Sequence, residues 1–256
     1  MTEKQLLEAA VNDKAAACRD NYMITNTAFL DMYQQSEVAS IMEKRRDVRC
    51  ELYGGFEDAE RRAAVFLPDY VSGAAEYFRQ QPGDDPLAAL RVSKDGFSDL
   101  GHRDYLGALM GLGIKREMIG DIIVDDAGCT LAVMKSVERY ITENFTSAGR
   151  GSLRVVPLDG FDKLDKIESF ELKRCYVSTM RCDAVISAAF GISRSEAARR
   201  IAAKTVFVNG ALILKPDLRI DVGDKLVLRG SGKAVVDSDA GTTKKGRHAF
   251  IIKRFV

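Results

Sequence analysis

The sequence predicts an α+β fold in three successive parts, on three observations. The N-terminal stretch has helical spacing with a short strand behind it. Residues 87–158 read as strand, helix, two strands, helix and strand. The segment 181–256 packs a helix pair, a hairpin and a high density of Arg and Lys into little length. The expected parts are an N-terminal helical region over 1–80, a middle domain over 81–160 and a basic module over 170–256.

In the first part, 3–19 and 26–45 have helical spacing with polar interruptions, and Thr25 and Asn26 stand where they could cap the second run. Val48 to Tyr53 reads as a strand ending at Gly54-Gly55. The mixed-charge segment FEDAERRAAVFL follows, with Pro68 just beyond.

The middle part is cleaner. Leu87–Val92 is a strand and Lys94-Asp95-Gly96 a turn; 102–113 is a short helix closing on glycine. Ile119–Val124 and Thr130–Met134 are strands joined across Asp125-Asp126-Ala127-Gly128. Ser136–Phe145 is a helix and Leu153–Pro157 a strand. This β-α-β-β-α-β order is the split βαβ, or ferredoxin-like, arrangement. Proteins that read RNA on this topology stack bases on aromatics of the two central strands. Leu87–Val92 and Thr130–Met134 contain no Phe, Tyr or Trp, so a positioning or protein-contacting role is expected rather than base reading. Residues 159–169, short and charged, read as a linker, and Phe170–Met180 lead into the last part.

Composition is that of an ordinary globular chain, with 46% hydrophobic and 29% charged residues. No apolar run approaches the roughly 18 residues that cross a bilayer, and the charged N-terminus has no signal-peptide core, so a cytoplasmic location is expected. The net charge of +1 conceals an asymmetry. Residues 181–256 carry 15 Lys+Arg against 7 Asp+Glu, a net of +8, and the preceding residues carry 23 against 30, a net of −7. A polyanionic partner for the last part is the natural reading. The five cysteines form no CxxC pair and only two histidines exist, so no metal is expected and the thiols read as free core residues.

In the last part, Ser193-Arg194-Ser195-Glu196 matches a capping box, with Ser193 accepting from the Glu196 N–H and the Glu196 carboxylate returning to the cap. The helix it opens runs to Ala203 and packs on a preceding helix, 182–190, from which Gly191 separates it. Thr205–Val208, the Asn209-Gly210 turn and Ala211–Leu214 form a hairpin. Turns at Lys215-Pro216-Asp217 and Val222-Gly223-Asp224 precede a strand at Lys225–Leu228. Arg194, Arg199 and Lys204 have no acid at helical spacing downstream and are the expected phosphate contacts. Arg200, four residues after Glu196, reads as an intrahelical pair. Arg181 either pairs with Asp183 or faces RNA. Lys215, Arg229 and Lys233 lie at turns, Lys233 in a Gly-Ser-Gly-Lys turn that fits over a phosphate without being a P-loop. Lys244, Lys245, Arg247, Lys253 and Arg254 form a basic tail. Ser193, Ser195 and Asn209 are polar contributors suited to RNA read by shape, and Phe190 and Phe207 read as core.

Residues 181–233 resemble the alpha-L, or S4, RNA-binding motif. The matching residues are Arg181, Asp183 and Val185, Ser193-Arg194-Ser195 with Ala197, Val206, Val208-Asn209-Gly210, Lys215-Pro216 and Gly223-Asp224. Cys182 stands where that family usually has Leu. The resemblance extends to the bacterial YlmH family, through Gly54-Gly55-Phe56-Glu57-Asp58-Ala59-Glu60-Arg61-Arg62, His102-Arg103-Asp104-Tyr105-Leu106-Gly107, Gly111-Leu112-Gly113-Ile114-Lys115-Arg116, Gly120-Asp121-Ile122 and Thr242-Thr243-Lys244-Lys245-Gly246-Arg247. It implies an S4 helix pair that grips structured rRNA and a tRNA stem; with no catalytic motif visible in the sequence, a non-enzymatic protein with no cofactor is expected. Members are linked to cell-division gene clusters, and some to rescue of stalled large ribosomal subunits carrying peptidyl-tRNA.

Two other functions compete. One is an RNA-modifying enzyme with an unrecognised site in the middle domain; the other is a scaffold for division proteins. Pseudouridine synthases carry the S4 module before their catalytic domain, whereas here it comes last, and the nucleotide-binding signatures of tyrosyl-tRNA synthetases are missing. His102-Arg103-Asp104 is expected to cap and pack a helix rather than to catalyse.

Overall fold

In a computed structural model of the chain, residues 2–95, 99–161 and 170–255 are described. Two compact units emerge, Met1–Lys166 and Ile167–Val256, and each is described by itself. The seam expected near residue 80 lies inside the first unit. Lys94, expected in a turn with Asp95 and Gly96, instead ends a strand that runs on past Val92, while Gly96 and residues 162–169 of the expected linker lie outside the described residues.

The first unit runs α1 (Glu3–Asn21), β1 (Thr25–Leu30), α2 (Met32–Met42), β2 (Arg49–Tyr53), β3 (Arg62–Leu67), α3 (Ala74–Gln80), β4 (Leu87–Lys94), α4 (His102–Gly111), β5 (Ile119–Asp125), β6 (Gly128–Met134), α5 (Lys135–Asn144), β7 (Ser147–Ala148) and β8 (Gly151–Pro157). The helix expected over 26–45 is a strand followed by a shorter helix. Thr25 and Asn26 do not cap it; both lie in β1 and pair with Phe66 and Val65 of β3. Asp31 is the cap, accepting from the Gln34 N–H at 2.9 Å while the Gln34 side chain accepts from the Asp31 N–H at 2.9 Å. Alternating burial along Thr25–Leu30 is a period of two, which the longer helical pattern hid. The strand β3 has no counterpart among the expected elements. It is the centre of an antiparallel sheet, β1-β3-β2, buried along almost its whole length, and such a run carries no periodicity to read.

The middle strands form an antiparallel sheet in the order β5-β6-β4-β8-β7. Without the two-residue β7, this is the ferredoxin-like order. One face packs on α4 and α5 through Leu90, Val92, Cys129, Leu131 and Val133, with Tyr105, Leu109, Ile141 and Phe145. The other face is covered too. Leu87, Ala89, Ala132 and Met134 pack with Phe29, Tyr53, Val65, Leu67 and Phe78 of the first 80 residues and with Phe161. Every residue of β6 is buried. The surface on which this topology stacks bases in other proteins is therefore the interior of the unit.

Residues from the family motifs hold that seam. The buried Asp121 carboxylate accepts from the Glu60 and Arg61 N–H groups at 2.8 and 3.0 Å. Arg61 donates to the carbonyls of Ile119 (3.0 Å) and Phe29 (3.1 Å), and Arg116 donates to the Ile119 carbonyl at 2.6 Å. At Gly120 a Cβ would lie 2.7 Å from the Phe29 ring. Asp104 accepts from the Gly101 N–H at 2.8 Å, which closes the start of α4 as expected.

The second unit comprises β9 (Phe170–Val177), α6 (Cys182–Phe190), α7 (Arg194–Ala202), β10 (Val206–Val208), β11 (Ala211–Leu212), β12 (Lys225–Leu228), β13 (Gly232–Thr242) and β14 (His248–Phe255). Its antiparallel sheet has the order β11-β10-β12-β13-β14-β9. The two helices cover one face, where Val185, Ile186, Ala189, Ala197 and Ile201 meet Val206, Leu226, Leu228, Val236, Phe250 and Ile252. The basic tail is not a tail: β13 and β14 are long paired strands, and β14 pairs with β9 along eight residues. All five cysteines are free, and burial pushes the Cys129 thiol up to about 12 and that of Cys182 up to about 11.

Candidate nucleic-acid interface

The helix pair is set by local sequence. Gly191, with φ of 69°, ends α6 in the left-handed conformation. Ser193 caps α7, its Oγ accepting from the Glu196 N–H at 3.1 Å and lying 3.0 Å from the Ser195 Oγ. Only half of the expected capping box forms. The Glu196 carboxylate turns along the helix instead, taking Arg200 Nε at 2.9 Å and pairing with Arg199. Two guanidinium groups one turn away attract it more strongly than one backbone N–H. Arg199 thus has an acid partner, contrary to the sequence reading; its side chain remains 77% exposed.

Arg194 is also paired, with an acid that lies on the other helix. Its Nη2 donates to Asp183 Oδ2 at 2.6 Å, while Arg181 Nε donates to Asp183 Oδ1 at 3.2 Å. The Ala184 N–H gives Oδ1 a further bond at 2.9 Å. Asp183 is buried. Burial pushes its carboxyl pKa up, but the bonds from Arg194 and Arg181 outweigh that and hold it below the usual carboxylate range. Of the two possibilities for Arg181 the pair with Asp183 forms, and its side chain is still 44% exposed.

The same arrangement thus occurs twice: one carboxylate shared by two arginines, each cluster carrying a net positive charge. A carboxylate has two oxygens and two guanidinium groups have ten N–H bonds. Most of those donors remain for a ligand, already aimed.

Around this centre the chain brings further basic groups. The Asp183 N–H bonds the Pro216 carbonyl at 3.0 Å and the Cys182 N–H that of Leu218 at 2.8 Å, so Lys215 and Arg219 belong to a segment seated on the start of α6. Arg219, which carries no signal in the sequence, bridges to Arg181. With Thr179, Met180, Asp217 and His248 these two arginines line a shallow depression of about 300 Å³. His248 follows the basic turn between β13 and β14. Lys244 and Lys245 are exposed there, and Arg247 is tied to the Tyr176 carbonyl at 2.7 Å.

Lys204 ends α7 with φ of 59°. The Thr205 N–H reaches the Arg200 carbonyl at 3.1 Å and the Lys204 N–H that of Ile201 at 3.0 Å, which is the Schellman geometry, with lysine at the position glycine usually fills. Asn209 is a strut. Its Nδ2 donates to Asp224 at 2.8 Å and its Oδ1 accepts from the Lys225 N–H at 2.9 Å, which engages both ends of the amide. Arg229 and Lys233 lie on either side of the β12–β13 turn, and Lys233 sits over the Phe255 ring at 5.0 Å, away from the helix pair. Among the described residues no group of His, Cys, Asp or Glu could hold a metal ion, and no helix is long and apolar enough to cross a membrane.

A helix pair on a small antiparallel sheet, with arginines locked at the first turns, defines an S4-type RNA-binding protein, and the S4 family model matches residues 180–226. A second model, described as a putative RNA-binding domain in YlmH, matches residues 87–160. Together with a relative matched along nearly its whole length, the two models support the YlmH family. It is 28% identical over 253 residues to the ribosome-associated protein quality control protein P2 of Bacillus subtilis, covering 98% of this chain and 95% of that protein. Among solved structures it is similar in fold to the cell division protein ylmH from Streptococcus pneumoniae, with a TM-score of 0.51 and 19% identity over 64% of this chain and 96% of that one.

Proposed function

We propose that this chain binds structured ribosomal RNA or tRNA on the large ribosomal subunit through its helix pair, without chemistry of its own, in the rescue of stalled subunits. The observation that carries the reading is the double arginine–carboxylate arrangement, Asp183 with Arg181 and Arg194 at the starts of α6 and α7 and Glu196 with Arg199 and Arg200 along α7. Locked guanidinium forks suit phosphates, whose geometry they match, and structured RNA presents phosphates and 2′-hydroxyls rather than readable base edges. Arg181, Arg194, Arg199, Lys204 and Lys215 are the proposed phosphate contacts, with Ser195 beside them and Lys244 and Lys245 at the rim. The relative from Bacillus subtilis, matched along nearly its whole length, supports the ribosomal setting. The first unit, whose sheet is covered on both faces, positions the second or contacts protein.

Co-sedimentation with purified large subunits tests this. The full chain should travel with the subunit, and the double variant Arg194→Glu, Lys204→Glu should remain at the top of the gradient while keeping its circular dichroism. Removing one phosphate-binding side chain should lower the log–log salt slope of binding by about 1. Unchanged co-sedimentation, or in-cell crosslinks confined to messenger RNA, would overturn the proposal.

A further inference from the structure

The sheet of the second unit has a second face, opposite the helices. Along β9 the residues alternate. Cys175 and Val177 pack into the helix-covered core, and Lys173 donates to the Ala188 carbonyl of α6 at 2.9 Å. Phe170, Leu172, Arg174 and Tyr176 therefore point the other way, as the period of a strand demands. Their exposure is high for such residues: 47% for Phe170, 63% for Leu172 and 42% for Tyr176. Register places Phe255 opposite Phe170 and Lys253 opposite Leu172, and the rings of Phe170 and Phe255 meet edge to face at 6.5 Å.

The cations of this face sit on its rings. Lys253 Nζ lies 3.9 Å from the centre of Phe170 and 5.7 Å from that of Phe255. Arg174 lies 5.9 Å from the centre of Tyr176. Among the described residues neither Lys253 nor Arg174 has a carboxylate partner. The patch is thus a row of exposed apolar and aromatic side chains with basic groups between them, on the edge strand of a sheet.

We propose that this face stacks unpaired bases of single-stranded RNA, as a second contact on the opposite side of the sheet from the helix pair. Aromatic platforms with flanking cations bind single strands because every base has a π-face and every nucleotide a phosphate. On binding, Lys253 and Arg174 exchange a ring for a phosphate, and a base takes the ring face they leave. A second copy of this chain fits less well, because a two-fold contact through this face brings two patches of the same positive charge together. The inference rests on the RNA-binding reading of this unit but uses different residues, so the two can fail separately.

The test uses the full chain and two probes, a labelled oligouridylate and a labelled RNA hairpin, with Phe170→Ala, Tyr176→Ala and Arg194→Glu. Phe170 and Tyr176 are exposed enough for truncation to leave the fold intact, and circular dichroism checks this. Each aromatic truncation should weaken oligouridylate binding roughly tenfold and leave hairpin binding unchanged, while Arg194→Glu should weaken hairpin binding most. Phe170→Tyr, which keeps a ring, should bind the oligouridylate like the wild type. Three results would overturn the inference: a wild-type chain that binds the hairpin but not oligouridylate; oligouridylate binding insensitive to both truncations; or a concentration-dependent dimer in sedimentation that Leu172→Glu abolishes while oligouridylate binding stays intact. If the wild type binds neither probe, the helix-pair reading falls as well.

Discussion

Asp183 and Arg194 join the first turns of two helices across a 2.6 Å bond, and the buried carboxylate simultaneously holds Arg181 at 3.2 Å. The acid is therefore part of a basic surface. It fixes where the cations point, which an unpaired arginine on a flexible stem does not achieve.

That relationship separates net charge from pre-organisation. Asp183→Asn adds a positive charge to the interface, so attraction alone predicts tighter RNA binding. Loss of the anchor predicts the reverse, because both arginines must then be ordered at the moment of binding. Weaker binding is expected, about tenfold, or about 1.4 kcal/mol. The folding cost should be about 2 kcal/mol, below the roughly 3–5 kcal/mol of fully buried pairs because Arg194 stays more than half exposed. Hairpin RNA titrated against both proteins at one salt concentration decides; tighter binding by the variant would refute pre-organisation.

The same carboxylate sets an acid limit. Its folded pKa lies below the ordinary value of 3.8, so the ionised form is favoured by folding. The stabilisation is complete well above pH 3.8 and is lost as the pH falls from there through the lower folded value. Urea midpoints of the wild type should therefore show a decline below about pH 4 that is shallower in Asp183→Asn. Parallel curves for the two proteins would mean that the Asp183 pairs contribute nothing to folding.

Lys204 occupies a left-handed position where a Cβ is unfavourable. Lys204→Gly should stabilise the second unit by about 1 kcal/mol, which for a unit of this size raises its thermal midpoint by about 4–8 °C. Hairpin RNA affinity should fall in the same variant. Opposite signs for stability and binding, read by calorimetry and titration, would mark a lysine kept at that position for its charge. A variant that is more stable and binds equally well would remove Lys204 from the interface.

Local signals were legible in the sequence and distant ones were not. Gly191, Ser193 and the Asn209-Gly210 turn act within a few residues, and each stands where the sequence places it. Asp183 and Arg194 lie on different helices, and only packing brings them together, so Arg194 read as unpaired. The two partners of Glu196 were both within one turn, yet the capping box competed for the same carboxylate and only the geometry decides between them. Lys204 ends a helix without the glycine that usually marks such an end. The strands β13 and β14 were obscured by the polar run around Asp237 and Lys244, where register shifts break the alternation. The covering of the middle sheet rests on β1 and β3, one hidden under a helical pattern and the other too uniformly apolar to carry a period.

The seam of the first unit provides a control for these binding experiments. Asp121 is buried and accepts two backbone N–H groups from Glu60 and Arg61, and nothing in the second unit is needed for those bonds. Asp121→Ala leaves both donors without their acceptor, at a cost of about 2–3 kcal/mol. Gly120→Ala presses a methyl group against the Phe29 ring and should cost about 1–3 kcal/mol. Both changes loosen the same seam, so the double variant should lose less than the sum. Hydrogen exchange should show faster exchange in β1, β3 and β5 with α6 and α7 unchanged, and hairpin RNA affinity should match the wild type. If instead the exchange in β1 and β3 stays slow, these family motifs do not hold the seam.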